Sequence, residues 1–316
     1  MTLETELLCG GSSSCEGDFK YMASLQVCGK SVCGGGILND YHILTVAHCV
    51  CDKSGKFTGE YFKIFAGKTD LSIKKVGVEV EIEKVYVHKG YLPDRLIDDI
   101  AILKVKRSLN IAQNPDLTAL NLPNIDVNYL TNYVNKPAII SGYGWDWITV
   151  KYDEKKQKSI EVGGAYRSVL KYAITNVISN KVCAEKNPHT VLTDTLICAQ
   201  TVQRYITVPE GVCSGDSGGP LVADNNTVIG ILSSSPFGCD ESKQAAVYTR
   251  VGPYVDFILD AMNNRINDDT IVYEVKESIM NIILDNLRNC YTKYLSNGVF
   301  FNHYNKENDR NYYTQD

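Results

Sequence analysis

Little in this chain points to a membrane or to nucleic acid. No apolar run approaches the roughly 20 residues that cross a bilayer as a helix. The formal net charge is −5, so no basic surface is expected to draw nucleic acid or an anionic membrane. Phosphate loops, nucleic-acid motifs and internal repeats are missing. No Cys-x-x-Cys pair has a matching second pair, which excludes the common zinc arrangement. The opening residues, Met1-Thr2-Leu3-Glu4-Thr5-Glu6-Leu7, have neither a basic head nor a long apolar stretch, so they are not a secretion signal. Histidine is scarce, at five residues, which leaves few places for imidazole chemistry. Cysteine is plentiful by contrast. Eleven in one chain suggest a disulfide framework and an extracellular protein whose signal has been removed. The 316 residues, 44% hydrophobic and 22% charged, suffice for more than one packed unit of ordinary globular composition.

The densest chemistry lies in Gly211-Val212-Cys213-Ser214-Gly215-Asp216-Ser217-Gly218-Gly219-Pro220. Glycines at 215, 218 and 219 clear side chains from around the Ser217 hydroxyl. A tight turn there can aim the N–H groups of Gly215 and Ser217 at one point, as an oxyanion requires. The bland alternative is a Gly-rich hairpin with an incidental serine. Two further blocks argue against it. Ala47-His48-Cys49 follows the apolar run Ile43-Leu44-Thr45-Val46, and Asp99 opens Asp99-Ile100-Ala101-Ile102-Leu103. A serine hydroxyl needs a base to take its proton, and that base needs an orienting group.

In their order His48, Asp99, Ser217, these blocks resemble the chymotrypsin-like (S1) serine endopeptidases over about residues 8 to 262. The resemblance implies that His48 is the general base, Asp99 its orienting carboxylate and Ser217 the nucleophile. Asp98 is set aside because the family places its aspartate directly before the Ile-Ala pair. It implies an all-β fold of two antiparallel six-stranded β-barrels with a C-terminal helix. The first barrel is expected over about 8–124 and the second over about 125–262. Leu8 stands at the family's first mature position, where a freed ammonium pairs with Asp216. Leu7 before it is not the basic residue a trypsin-like activator needs. The implied disulfides are Cys33–Cys49, Cys183–Cys198 and Cys213–Cys239. Cys28 and Cys51 flank the first pair, so a fourth bridge is expected between them. Cys9, Cys15 and Cys290 remain, with a Cys9–Cys15 loop open.

Family spacing also places the primary specificity pocket. Gly211 lies at its base, Val212 beside it, Ser233 and Ser235 on the opposite wall, and Ala246 where many members have glycine. No charge at 211 and side chains at 235 and 246 suggest a narrow, uncharged pocket. Cleavage is therefore expected after small or medium aliphatic residues. Partners are protein or peptide substrates and protein inhibitors. No cofactor and no metal is expected. The rival reading is a homologue that no longer cleaves and works by binding: the missing basic activation residue and altered pocket favour it, the intact triad opposes it. His42 and His189 read as exposed loop residues and His88 as structural. Asn225-Asn226-Thr227 is a glycosylation sequon. The charge run Lys151 to Lys158 reads as a surface loop. Beyond the resemblance, residues 263–316 form an extension. Val275, Ile279, Ile282, Ile283, Leu287 and Cys290 predict a helix over Tyr273–Tyr294, followed by a disordered tail.

Overall fold

The computed structural model describes residues 12–13, 18–27, 29–58, 62–73, 77–124, 133–153, 158–166, 168–202, 211–239, 241 and 244–275. A short strand β1 (Ser12–Ser13) precedes β2 (Met22–Val27), β3 (Lys30–Asn39), β4 (His42–Thr45), β5 (Lys63–Ala66), β6 (Val78–His88) and β7 (Ala101–Val105). The last six follow the order β6-β5-β2-β3-β4-β7, and β6 also pairs with β7, so the sheet closes into a barrel. Strand β6 shows how sequence dictates this layer. Val80 and Ile82 are buried while Glu79 and Glu81 face out, the period of two that a half-solvated strand requires. Both glutamates meet lysines of neighbouring segments, Lys63 and Lys106, and exposed pairs of this kind add little stability.

The second half contains β8 (Pro137–Gly142), β9 (Trp145–Asp153), β10 (Lys158–Tyr166), β11 (Lys171–Ile178), β12 (Leu196–Thr201), β13 (Pro220–Ala223), β14 (Thr227–Ser234) and β15 (Ala246–Arg250). Six of them run β11-β12-β15-β14-β13-β8, and β8 pairs again with β11 to close the second barrel. Strand β1 joins this sheet beside β11. Strands β9 and β10 form a separate two-stranded ribbon. Lys151 and Lys158 therefore lie in strands, not in the surface loop expected from their charge. The β-branched and aromatic residues Ile148, Thr149, Val150 and Tyr152 favour an extended backbone, and Lys151 and Tyr152 are exposed.

Helix α1 (Asn180–Lys186) is capped by Ser179, whose Oγ accepts from Val182 N–H. A turn containing Pro253 leads into helix α2 (Val255–Met262), which buries Val255, Phe257, Ile258 and Ala261. Phe257, Ile258 and Ala261 join the core of the first barrel, and Phe257 meets the His88 ring edge-on at 5.3 Å. The last helix thus returns from the second barrel to brace the first.

The extension begins differently from its expected helix. Thr270–Glu274 is a strand, β16, antiparallel to Lys84–His88 of β6. Val275 continues the pairing through its N–H to the Glu83 carbonyl. Thr-Ile-Val-Tyr carries the β-branched and aromatic residues that suit a sheet edge, and the open side of β6 supplies unpaired backbone groups that a helix could not satisfy. The rest of the expected helix and the tail lie outside the described residues. Tyr273 stacks on Phe57, with centroids 5.2 Å apart, and Phe57 bridges to Cys51 just after the His48 turn. Tyr273→Ala is expected to cost about 1–2 kcal/mol, from the lost aromatic pair and its buried area. Denaturant titration would show a lower midpoint at unchanged slope. An unmoved midpoint would mean the strand adds nothing to the barrel.

Candidate active site

His48 sits on the 3-10 turn Ala47–Cys49, directly after β4. Thr45 of β4 pairs with Ala101 of β7, which places the start of β7 beside that turn. Asp99, wholly buried, accepts from the His48 backbone N–H at Oδ1 (2.9 Å) and faces His48 Nδ1 with Oδ2 (2.7 Å). Ser233 Oγ donates to the same Oδ2 at 2.6 Å. Thr249 Oγ1 donates to the Asp99 carbonyl at 2.8 Å. A carboxylate taken out of water is costly unless its lone pairs are met. Here three donors meet them and hold the imidazole with Nε2 pointing away from the pair. Asp98 faces elsewhere: Tyr254 OH donates to its Oδ1, and His88 Nδ1 lies 3.6 Å from its Oδ2. Adjacent residues in the chain thus serve two different networks.

The loop carrying Ser217 is held through its backbone by both barrels, by β3 of the first and β14 of the second. Gly34 N–H donates to the Ser217 carbonyl at 2.7 Å, and Gly218 N–H to the Leu232 carbonyl at 2.8 Å. Cys49 Sγ lies 3.7 Å from the same Ser217 carbonyl. Gly218 adopts φ +81°, and a Cβ there would stand 2.3 Å from Thr45 Oγ1 and 2.4 Å from the Gly34 carbonyl oxygen. No other residue fits that approach. Gly215 also has positive φ, +95°. Among the described residues, neither the Gly215 nor the Ser217 N–H donates a backbone hydrogen bond.

Asp216 is buried beneath this turn. Its Oδ1 accepts from Gly144 N–H (2.8 Å) and its Oδ2 from Cys213 N–H (2.9 Å). Burial pushes its carboxyl up to about 7, against the two amide bonds that lower it. Among the described residues no cation is paired with it. Leu8, its expected partner, lies outside the described residues.

Three disulfides join the expected cysteines. Cys33–Cys49 ties β3 to the His48 turn, Cys183–Cys198 ties α1 to β12, and Cys213–Cys239 ties the Ser217 loop to the segment after β14. The sulfurs of Cys33 and Cys49 cluster with a His48 nitrogen. They are bonded to each other, so no thiolate remains there for a metal. The expected Cys28–Cys51 bridge is corrected: Cys51 is a free, buried thiol, raised to about 12 by burial and by the nearby carboxylates of Asp99 and Asp52. Cys28 itself lies outside the described residues. His42 is corrected likewise. It is buried in β4 against Asn39 Oδ1 (2.9 Å), and burial lowers it to about 4. His189 is exposed.

The five pocket residues come together only in part. Val212 and Ala246 pack into the core of the second barrel. Ser233 turns its hydroxyl to Asp99, and Ser235 is half-buried. Gly211 is buried against the side chain of Glu241, a residue that no motif singled out. Asn225 is exposed in a left-handed conformation between β13 and β14. Tyr143, in place of the family's usual tryptophan, is buried and donates its hydroxyl to the Lys68 carbonyl.

The family described as Trypsin matches residues 8–258. Chymotrypsin-2 of Vespa crabro is 31% identical over 250 residues, spanning 79% of this chain and 97% of that protein. Neuropsin, a serine protease expressed in the limbic system of mouse brain, superposes with a TM-score of 0.64 at 24% identity, covering 80% of this chain and 98% of its own. The human heparin binding protein superposes with a TM-score of 0.64 at 22% identity, over 81% and 97% of the two chains. At such identities these two structures speak for the fold alone.

Proposed function

The chain belongs to the trypsin family of serine endopeptidases, and we propose that it hydrolyses peptide bonds through His48, Asp99 and Ser217. The observation that carries this reading is the buried His48–Asp99 pair, held by three donors, beside a loop that presents Ser217 on a glycine-cleared turn. Ser217 Oγ attacks the scissile carbonyl carbon while His48 Nε2 takes its proton. Asp99 stabilises the imidazolium through Nδ1 and keeps the tautomer that leaves Nε2 a base. The carbonyl oxygen, now an oxyanion, receives the N–H groups of Gly215 and Ser217, an interaction worth about 3–4 kcal/mol per donor. His48 then protonates the leaving amine, and the acyl group stays on Ser217. Water enters and gives a proton to His48 as it attacks the ester carbonyl; the tetrahedral intermediate then collapses, His48 returns the proton to Ser217 Oγ, and the acid leaves.

The chain acts outside the cell on protein substrates, and its disulfides suit that setting. Uncharged Gly211, backed by the buried Glu241 side chain, and the half-buried Ser235 favour cleavage after small or medium aliphatic residues. A fluorophosphonate probe tests the reading directly. The chain trimmed to Leu8 should be labelled, and Ser217→Ala should not. If the trimmed wild type stays unlabelled, the chain is a family member that binds without cleaving. Labelling that survives Ser217→Ala would place the nucleophile elsewhere.

A further inference from the structure

Position 211 is where the proposed pocket has its base, and it carries no side chain. The space is nonetheless filled. A Cβ on Gly211 would stand 2.7 Å from Glu241 Cγ and 2.9 Å from its Oε1. Glu241 enters from the opposite wall, two residues after Cys239, whose disulfide to Cys213 joins the two segments. Its carboxylate is anchored on both sides: Oε1 accepts from Val212 N–H at 2.8 Å and Oε2 from Thr201 N–H at 2.6 Å. Its own carbonyl accepts from Gln200 Nε2 at 2.8 Å. The residue is 1% exposed.

We infer that Glu241 is the residue that sets the depth of the primary specificity pocket, its anchored carboxyl forming a raised floor that admits short aliphatic side chains and excludes long ones. The inference rests on the serine-endopeptidase reading above and names a determinant of its substrate class.

A buried acid at a pocket base suggests another role, attraction of substrate lysine or arginine. The geometry argues against it. A carboxylate that recognises a cation must turn free lone pairs toward the cavity, with water or the ligand in contact. This one turns its oxygens toward two backbone amides and is closed from solvent. Its surroundings also penalise charge, since burial outweighs those amide bonds and raises the carboxyl to about 7. A guanidinium reaching the floor would find one acceptor site of each oxygen already taken by a backbone amide, in a carboxyl that is closed from solvent.

The test profiles cleavage sites in a library of denatured-protein peptides by mass spectrometry, using full chains trimmed to Leu8. Rates are normalised to active sites counted by fluorophosphonate titration. The wild type should cut after Ala, Val or Leu. Glu241→Ala should shift the kcat/KM ratio of Met or Phe substrates over Ala substrates by about tenfold or more, the range that one or two methylenes command in an apolar pocket. Glu241→Gln keeps the volume but turns its NH₂ toward one of the two backbone N–H donors, so it should keep the short-chain preference with a smaller shift than Glu241→Ala. If Glu241→Ala fails to fold, Glu241→Asp carries the same test, because it draws the carboxyl back by one methylene. An unchanged profile in the shortened variant overturns the inference. So does wild-type cleavage after Lys or Arg that Glu241→Gln removes. Either result with normal probe labelling leaves the catalytic reading standing, whereas absent labelling of the wild type removes that reading first.

Discussion

Asp99→Asn should lower turnover by about 10⁴ while Asp98→Asn leaves it within a few-fold. The first magnitude is that of the known serine-protease case, in which an asparagine fixes the wrong imidazole tautomer. It transfers here because Asp99 Oδ2 is the acceptor facing His48 Nδ1 at 2.7 Å and also holds Ser233 Oγ at 2.6 Å. An amide NH₂ in place of either oxygen would turn a donor toward a donor. Asp98 makes no such contact, since its oxygens face Tyr254 and His88. Ser217→Ala and His48→Ala should each cost about 10⁶ in kcat, because the three groups act as a unit. Combining any two should cost little more than the worse one. Steady-state hydrolysis of an Ala- or Val-terminated peptide anilide, with stability checked in parallel, reads all four variants. Equal losses for Asp98→Asn and Asp99→Asn would show that the loop, and not the Asp99–His48 pair, is what activity needs.

Trimming the chain to Leu8 is the second large expected effect. With Leu7 in place the Leu8 nitrogen is a peptide amide. Asp216 is then a buried carboxyl held by two backbone N–H groups and raised to about 7. A freed Leu8 ammonium would supply the missing charge and fix the turn that carries Gly215 and Ser217. A poorly formed oxyanion turn forfeits donors worth 10²–10³ in kcat, so trimming should raise activity by about 10² or more. Stability should carry the same signature. A carboxyl raised in the folded state holds its proton where the unfolded chain has lost it. Its contribution is therefore fully present below the unfolded value of 3.8 and is lost as pH rises toward about 7. Glu241 adds a loss of the same sign between 4.5 and about 7. The untrimmed chain should thus melt at a lower temperature at pH 8 than at pH 5. The trimmed chain should lose the Asp216 part of that slope, and so should Asp216→Asn. Identical activity and identical pH slopes in both forms would rule out a Leu8–Asp216 switch.

Much of this protein is legible in its chain because the relevant signals are local. The alternation in Val78–His88 records a strand with one wet face. The glycines around Ser217 record a turn that tolerates no side chain, as the close approach at Gly218 makes plain. Three blocks in a fixed order were enough to suggest two barrels. The failures came where a local pattern was ambiguous or where the deciding partner was distant. Tyr273 and Glu274 open a stretch of helical spacing but lie against β6 as the end of Thr270–Glu274, because an open sheet edge offers hydrogen bonds that periodicity does not register. Cys51 looked like half of a bridge and is a free buried thiol. Family spacing puts Ser233 on a pocket wall but says nothing of its hydroxyl, which goes to Asp99, 134 residues away. Glu241 had no signal at all, since a single acid in a loop looks like any solvated charge. The sequence by itself determined which residue types could do the chemistry and the strand pattern that carries them, because propensity, periodicity and turn preference act within a few residues. Only the tertiary structure decided how Asp99 is held against His48, which hydroxyl steadies it and which acid fills the space below Gly211, because each is a long-range contact whose geometry exists only once the barrels have closed.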